Sequence, residues 1–210
     1  MVFSSNRAND KSKIIPRNSY SIIQKCGLAL FLIRTKLICR KARLIRFPIE
    51  LRGIKYIDFG ENLTTGVGCR LEAFSGDNEK KMIFKKNIQL NDYVHICAMD
   101  KVVIGDNTLI ASHVYISDCS HGSYKGTIDD SSPETPPMKR KYVTQPVSIG
   151  KNCWIGEGVI IMPGVIIGDG VVIGAHSVVN KNIESNSIAV GSPARVVKKF
   201  DSILKKWCKI

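Results

Sequence analysis

Residues 150–179 read GKNCWIGEGVIIMPGVIIGDGVVIGAHSVV, and this stretch decides the fold. Counting from the residue before it, a large aliphatic side chain returns every six positions, at Ile149, Ile155, Ile161, Ile167, Ile173 and Val179. A second register of small or apolar residues lies four positions after each of these, at Cys153, Val159, Val165, Val171, Ser177 and Ile183. A period of six is neither helical nor a simple alternation. It therefore predicts short strands separated by tight turns, which stack as the coils of a parallel β-helix.

The same period continues toward the N-terminus with interruptions. It recurs at Phe84, Leu90 and Ile96 and, after a slip of two residues, at Ile104, Ile110 and Ile116. Residues 57–71 resemble an imperfect first coil. If three hexapeptides make one turn, residues 57–191 supply roughly six coils, each rising about 4.8 Å at ordinary strand spacing.

The period fails once, between Ser117 and Pro146, where Pro, Ser, Gly and charged residues dominate. Because the repeat resumes afterwards, we expect a loop extruded from the β-helix over residues 118–146 rather than a domain boundary. A long insertion of this kind in a regular repeat is usually functional or a linker. The predicted organisation is a basic amphipathic helical extension (1–50), a β-helix domain (51–200) and a short C-terminal helix (201–210).

The extension is the part of the chain that suggests a membrane contact. Residues 18–46 predict a helix or helix pair that ends near Pro48. Its second half is strongly basic, with Arg34, Lys36, Arg40, Lys41, Arg43 and Arg46. A basic amphipathic helix can lie on an anionic membrane surface, or it can pack on the rest of the protein with its charged face in solvent. The sequence leaves both interpretations open.

Composition limits the partners and the compartment. A 210-residue chain with 44% hydrophobic and 23% charged residues is typical of a globular protein, and its net charge of +13 indicates anionic partners. A nucleic-acid partner is not expected, since the repeats carry few aromatic residues beside their basic ones. The seven cysteines are scattered without a CxxC pair, which favours reduced thiols in the cytoplasm over a zinc site or a disulfide framework. The longest apolar run, residues 26–33, is far shorter than the ~20 residues that span a membrane.

The sixfold repeat, the extruded loop with a histidine at its base and the closing sequence IAVGSPARVVKKF (188–200) together resemble the hexapeptide-repeat acyltransferases. The likeness covers residues 57–200 and is greatest to bacterial O-acetyltransferases of lipopolysaccharide O-antigen or capsule synthesis, within the galactoside and maltose acetyltransferase group. It implies a left-handed β-helix, a homotrimer with active sites between subunits, acetyl-CoA as donor and no metal. The implied activity is acetyl transfer to a sugar hydroxyl of a surface polysaccharide, or of its lipid-linked or nucleotide-linked precursor. Such an enzyme would be cytoplasmic or peripheral at the inner membrane face.

The resemblance also implies site residues on the acceptor side. The family's catalytic histidine sits where the extruded loop begins, which makes His121 the candidate general base. A sugar hydroxyl is a poor nucleophile at neutral pH, and a positioned imidazole takes its proton as it attacks the thioester. Asp118 is the candidate to orient that imidazole, with a plain turn aspartate as the alternative. Asn91 matches the position of a substrate-binding asparagine in related enzymes, and Asp92 and Tyr93 are its candidate neighbours in acceptor binding.

On the donor side, the family binds acetyl-CoA in a groove between neighbouring helices, with basic residues near the C-terminus facing its phosphates. Carried over to this sequence, the candidate donor-binding residues are Trp154, Gly156, Ala175, Asn180, Lys181, Arg195 and Lys198. Relatives often carry threonine at position 180 and arginine at position 198, so this chain departs from the pattern twice. The remaining histidines, His95, His113 and His176, are interpreted as structural.

Three alternatives compete with polysaccharide O-acetylation. The acceptor could instead be a free sugar, serine or a xenobiotic, although serine acetyltransferases carry a longer acidic helical domain before the β-helix. A β-helical carbonic anhydrase would need three zinc-binding imidazoles, two of them five residues apart, and the four histidines contain no such pair. A non-enzymatic scaffold would have no use for His121 beside the loop together with Arg195 and Lys198. Binding of acetyl-CoA separates the scaffold from the enzyme.

Overall fold

The computed structural model describes residues 21–210, and this part of the chain is mainly β. It contains the helix α1 (Ile22–Ile38), two short 3₁₀ helices (Ile54–Tyr56 and Pro137–Lys139) and twenty strands. The strands are, in chain order, β1 (Ile49–Arg52), β2 (Ile57–Asp58), β3 (Cys69–Ala73), β4 (Met82–Phe84), β5 (Gln89–Leu90), β6 (His95–Ala98), β7 (Val102–Ile104), β8 (Leu109–Ile110), β9 (Tyr115–Ser117), β10 (Cys119–His121), β11 (Tyr142–Thr144), β12 (Val147–Ile149), β13 (Trp154–Ile155), β14 (Ile160–Ile161), β15 (Ile166–Ile167), β16 (Val172–Ile173), β17 (Val178–Val179), β18 (Ser187–Val190), β19 (Arg195–Asp201) and β20 (Lys206–Lys209).

These strands wind into a left-handed parallel β-helix with three sheets. Sheet B holds β1, β3, β6, β9, β14 and β17 in parallel, and sheet C holds β2, β4, β7, β12 and β15. Sheet A holds β5, β8, β13, β16 and β18 in parallel, followed by antiparallel β19 and β20. Each regular coil runs from sheet C through sheet A to sheet B. Six parallel strands in sheet B agree with the six predicted coils.

The core is built by the two predicted registers. The six aliphatic residues from Ile149 to Val179 are each at most 2% exposed, and the six of the second register are at most 4% exposed. The upstream positions at six-residue spacing, Phe84 through Ile116, are buried as well. Ser177 is a polar member of this core, and its hydroxyl donates to the Gly174 carbonyl at 2.7 Å and accepts from the Gly191 N–H at 3.0 Å. Both registers therefore point inward, as the sequence predicted.

Three corners connect the sheets, and in the coil after Ile149 they are corner 1 (150–153, sheet C to A), corner 2 (156–159, A to B) and corner 3 (162–165, B to C). Corner 1 carries stacked asparagines at positive φ, a conformation that asparagine tolerates better than most residues. Their side-chain amides hydrogen-bond from coil to coil over distances of 2.9–3.2 Å, and they are Asn62, Asn87, Asn107 and Asn152.

The predicted loop leaves and rejoins the β-helix at corner 3. After β9, strand β10 pairs in antiparallel fashion with β11, and β12 then pairs with β7 of the preceding coil. The two-residue slip lies at the same corner one coil earlier, at residues 99–101 between β6 and β7. Both irregularities of the repeat therefore fall on one edge of the β-helix.

The N-terminal segment differs from the prediction over residues 18–46, of which 18–20 lie outside the described residues. The helix ends at Ile38, so four of the predicted basic residues lie beyond it. Its apolar residues include a consecutive run from Leu28 to Ile33, which covers every side of the helix, so α1 is not amphipathic as expected. The chain leaves the helix because Ala42 and Ile45 are fully buried, and the Ile45 N–H donates to Thr35 Oγ1 at 2.8 Å.

Two further boundaries follow from this packing. Leu44 bridges to Thr64, and β1 pairs in parallel with β3, so the β-helix begins before residue 51. The predicted division at residue 50 thus cuts through a strand. Within residues 21–210, no helix is both long and apolar enough to cross a membrane.

The predicted C-terminal helix over 201–210 is wrong, because this segment forms an antiparallel hairpin of β19 and β20. The Asp201 carboxylate accepts from the N–H groups of Ile203 and Leu204 at 2.8 Å each and closes the turn. The rings of Phe200 and Trp207 lie across the hairpin with centroids 5.3 Å apart. The physical reason for the difference is the free edge of β18, whose backbone groups are paired by a strand and could not be paired by a helix.

A candidate active-site cleft between sheet B and the extruded loop

His121 lies at the wall of a cleft of about 510 Å³. Strand β10 carries its exposed side chain, and the opposite residue on β11 is Tyr142, whose ring centroid is 4.6 Å from that of the imidazole. The loop wall of the cleft also includes Cys119 and Met138. The outward side chains of sheet B form its floor: Arg70, Glu72, His95, Cys97 and Tyr115. The predicted base therefore faces an enclosed space large enough for a ligand.

The loop that carries His121 is held together by its own polar groups. The Asp130 carboxylate accepts from the Ser123 hydroxyl at 2.9 Å and from the backbone N–H groups of residues 125–127 at 2.6–3.3 Å. The hydrogen bonds that Lys125 N–H and its neighbours donate lower the pKa of this carboxyl. Arg140 donates to the Tyr124 hydroxyl at 2.6 Å, and that hydroxyl donates to the His121 carbonyl at 2.5 Å. The insertion thus has a defined conformation that fixes the backbone of His121.

Asp118 does not orient His121, contrary to the sequence-based expectation. It is fully buried, and its carboxylate accepts from the backbone N–H groups of Met99 (2.9 Å), Asp100 (2.8 Å) and Lys101 (2.7 Å). Burial raises the pKa of the Asp118 carboxyl, and these three hydrogen bonds oppose that effect. The carboxylate is therefore committed to corner 3, where it fixes the two-residue slip beneath the loop. It acts on the scaffold, as the alternative of a turn aspartate suggested.

The cleft floor carries a charged cluster that was not predicted. The Glu72 side chain is only 6% exposed, and one of its oxygens accepts from Arg52 Nη1 at 2.9 Å and from Arg70 Nη2 at 2.8 Å. The other oxygen lies 2.8 Å from His95 Nε2. Burial by itself would raise the pKa of Glu72, but the hydrogen bonds from Arg70 and His95, together with both arginine charges, lower it overall. His95, interpreted from sequence as structural, is thus part of the cleft.

Two cysteines also line this cleft. The sulfur atoms of Cys97 on β6 and Cys119 on β10 are 3.9 Å apart, and the Ser117 hydroxyl lies 3.4 Å from Cys119 Sγ. The Cys97 thiol lowers the pKa of Cys119 by hydrogen bonding to its sulfur, while the pKa of Cys97 itself is raised by the same contact and by burial. The cleft therefore contains a thiol more easily ionised than an ordinary cysteine.

The three predicted acceptor residues lie elsewhere within one chain. Asn91, Asp92 and Tyr93 form corner 2 between β5 and β6, whereas His121 lies beside corner 3 at the opposite edge of sheet B. The Asp92 carboxylate accepts from the Val67 N–H at 2.8 Å, and Tyr93 stacks on His113 with centroids 5.1 Å apart. One protomer therefore does not bring them to His121, and their role in acceptor binding stays a prediction that requires a second subunit.

The predicted donor residues occupy several places along the lower coils. Trp154 is half-exposed on sheet A, and Gly156 and Ala175 meet at corner 2, where a Cβ on Gly156 would come within 2.7 Å of the Ala175 nitrogen. Asn180 and Lys181 line a separate cleft of about 540 Å³ at corner 3. The two remaining residues, Arg195 and Lys198, lie on β19. The structure thus brings Gly156 to Ala175 and Asn180 to Lys181, and it does not unite the seven in one protomer.

The cleft residues that sequence reasoning missed carry a positional signal. Arg70, His95 and Tyr115 each come directly before a core aliphatic residue of sheet B, and the strand register places them side by side. A residue one position before the repeated aliphatic points outward, because side chains alternate along a strand. Aligning the coils on the core positions would therefore have stacked these three on one face. The contacts of Glu72 to its partners carry no comparable signal.

Comparison with known proteins agrees with the fold and the repeat. Residues 146–181 match the family described as bacterial transferase hexapeptide (six repeats). The chain is 46% identical over 187 residues to the Escherichia coli (strain K12) protein named "Putative lipopolysaccharide biosynthesis O-acetyl transferase WbbJ", with 88% of this chain and 94% of that protein covered.

Two solved structures extend the comparison. A maltose O-acetyltransferase from Clostridium difficile 630 is 28% identical, with 87% of this chain and 90% of that chain covered and a TM-score of 0.50. The N-acyltransferase AntD from Bacillus cereus, in complex with dTDP-4-amino-4,6-dideoxyglucose and coenzyme A, shares the fold. Its TM-score is 0.63 at 24% identity, with 79% of this chain and 84% of that chain covered. On the strength of the repeat, the fold and the first relative, the chain belongs to the hexapeptide-repeat acyltransferase family.

Proposed function

We propose that this protein transfers an acetyl group from acetyl-CoA to a hydroxyl of a surface-polysaccharide sugar, or of its lipid-linked or nucleotide-linked precursor. The observation that carries the proposal is the 46% identity to a protein named for lipopolysaccharide O-acetyl transfer, which extends over nearly the full length of both chains. The cleft supports it, because His121 is exposed there on a loop whose backbone is fixed by Tyr124 and Arg140.

The mechanism is direct transfer with donor and acceptor bound together. His121 takes the proton of the acceptor hydroxyl as its oxygen attacks the acetyl carbonyl carbon. The C–S bond of the thioester then breaks, and the protonated imidazole returns its proton to the departing thiolate. Backbone N–H groups of the donor groove stabilise the oxyanion that forms between these two steps.

A homotrimer is part of the proposal. The predicted donor residues at corners 2 and 3 lie on opposite edges of sheet B, and the predicted acceptor residues at corner 2 are separated from His121 in the same way. A neighbouring protomer that placed its corner 2 against corner 3 would bring both sets together. Light scattering during gel filtration should then give about three times the 23.3 kDa mass of the chain. A monomeric mass in a preparation that is fully active would contradict a shared site.

The experiment that tests the function begins with His121→Ala. We expect kcat for acetyl transfer to fall roughly 10²–10⁴-fold with the affinity for acetyl-CoA kept, because general-base catalysis contributes about this much. The acceptor would be unacetylated polysaccharide from a strain that lacks the gene, and transfer would be followed by release of free CoA thiol. His113→Ala is the matched control, since His113 lies on corner 2, away from the cleft. A wild-type enzyme that acetylates nothing in this material would contradict the proposed function.

We also place the enzyme in the cytoplasm, with α1 in contact with an anionic membrane surface. All seven cysteines are free, which suits a reducing compartment. Ile22, Ile23 and Leu37 are each about 80% exposed on α1 (79%, 84% and 82%), with Lys25 and Arg34 on the same helix. Binding to vesicles that contain anionic lipid should weaken in the double variant Ile22→Glu, Leu37→Glu. Equal binding by wild type and variant would contradict the contact.

A further inference from the structure

The proposed function leaves one pair in the cleft floor without a role, namely Glu72 on β3 and His95 on β6. These strands are neighbours in sheet B, and their register places Arg70 beside His95 and Glu72 beside Cys97. Glu72 Oε2 lies 2.8 Å from His95 Nε2. The Glu72 side chain is 6% exposed and that of His95 is 32% exposed, so the carboxylate lies beneath the imidazole and the imidazole reaches the cleft.

The arginines determine what this contact does. Arg52 and Arg70 both donate to Glu72 Oε1, and Glu50 lies at the outer side of the two guanidinium groups. Two cations at 2.8–2.9 Å keep Glu72 ionised, and an ionised carboxylate can only accept hydrogen bonds. His95 must therefore donate from Nε2. In the neutral imidazole this leaves Nδ1 with a free lone pair, since one ring nitrogen carries the proton and the other accepts.

The other side of the imidazole is fixed too. The Tyr115 ring packs against His95 with centroids 5.2 Å apart at an angle of 60°. Among residues 21–210 no group hydrogen-bonds to His95 Nδ1, although this side chain lines the same cleft as His121. His121, by contrast, has no carboxylate partner in this part of the chain, because Asp118 is occupied by backbone N–H groups. The histidine that a carboxylate orients is therefore His95.

We propose that His95 is an acceptor-binding residue whose Nδ1 accepts a hydrogen bond from a second hydroxyl of the acceptor, while the reacting hydroxyl meets His121. Glu72 is its positioning residue and acts by fixing the protonated nitrogen and the orientation of the ring. This inference rests on the proposed function and narrows its acceptor to a sugar that presents a further free hydroxyl to the cleft floor. A sugar in which that hydroxyl is blocked should bind weakly.

Two substitutions separate the two nitrogens of His95. In His95→Gln the amide reaches as far as Nε2 and keeps a donor for Glu72, but the acceptor at Nδ1 is lost. In His95→Asn the amide oxygen lies near the former Nδ1 and the contact to Glu72 is lost. We expect His95→Gln to raise KM for the acceptor about 5–10-fold, the range for one hydrogen bond, with kcat within about 3-fold and KM for acetyl-CoA unchanged. His95→Asn should restore most of the acceptor KM.

The assay uses unacetylated polysaccharide from the deletion strain, and wild-type transfer is measured first. Glu72→Gln should raise the acceptor KM in the same direction, and His113→Gln on corner 2 should leave all constants unchanged. Thermal melting of each variant shows whether the fold is kept, and a merely structural His95 would lower the melting temperature without separating the two KM values. An active wild type whose acceptor KM is the same in His95→Gln and Glu72→Gln overturns this inference alone. A kcat loss in His95→Gln as large as that in His121→Ala overturns it as well, because His95 would then be the base.

Discussion

Replacing Asp118 by alanine should destabilise the protein and affect His121 only indirectly. The carboxylate is fully buried and accepts hydrogen bonds from Met99, Asp100 and Lys101 at 2.7–2.9 Å. Alanine would leave these three N–H groups without an acceptor. A hydrogen bond to a charged group contributes about 1.5–3 kcal/mol, and a buried donor left unpaired costs about 1–3 kcal/mol.

The net effect is smaller than the sum of three such bonds, for two reasons. Lys101 is exposed, so water can replace the carboxylate at its N–H. Burial raises the pKa of the Asp118 carboxyl, so the variant also escapes part of the cost of burying a charge. Counting two unpaired donors at the lower end of the range and the remaining loss of packing, we expect the free energy of unfolding to fall by about 3 kcal/mol. For a chain of this length that lowers Tm by about 6–12 °C.

The assay is thermal melting followed by circular dichroism at one fixed protein concentration, together with kcat measured well below both transitions. Asp129→Ala is the matched control, since Asp129 is an exposed aspartate of the same loop and should leave Tm unchanged. Asp118→Asn keeps one acceptor oxygen and should fall between wild type and Asp118→Ala. An unchanged Tm combined with a kcat loss of about 100-fold or more would refute the reasoning and return Asp118 to the role of orienting His121.

Three further outcomes follow from the packing and the cleft. Ile161→Ala, at a fully buried position, should cost about 2–4 kcal/mol of unfolding free energy in urea denaturation, whereas the neighbouring outward Ile160→Ala should cost under about 1 kcal/mol; equal losses would contradict the inward register. Iodoacetamide should alkylate Cys119 at pH 7 more slowly in Cys97→Ala, because the thiol that lowers its pKa is gone; peptide mass spectrometry measures both rates, and equal rates would contradict the contact. Arg140→Ala should speed trypsin cleavage within the loop, unless the hydrogen bond to Tyr124 contributes nothing.

The coil scaffold could be predicted from sequence because the period of six records a purely local rule. Each coil needs one large aliphatic and one small residue facing inward, so Ile155 or Val171 identifies its own position without reference to distant residues. The corners follow for the same reason, since asparagine or glycine takes the positive φ there. The position of His121 at the base of the loop was recognised through the one failure of that period.

The parts that could not be predicted depend on contacts between residues far apart in sequence. Asp118 was assigned to His121 because the two are three positions apart, but its partners are 17–19 positions away across a coil. Glu72 meets His95 over 23 positions, so no spacing rule pointed to the pair. The C-terminal segment has the composition of a short basic helix, and only the free edge of β18 decided for a hairpin. Residues around Ala42 left the helical pattern because burial in the first coil outweighed it.

The C-terminal hairpin has a consequence for how copies of this protein can meet. A stack of coils ends in open strand edges, and an open edge is a template on which a further copy could add, coil upon coil, into a fibre. In sheet A the last edge is β20, which carries Lys206 and Lys209, so an arriving copy would bring lysine against lysine. Growth along the axis is thereby disfavoured by charge, and contact through the flat sides of the prism is left as the way to assemble.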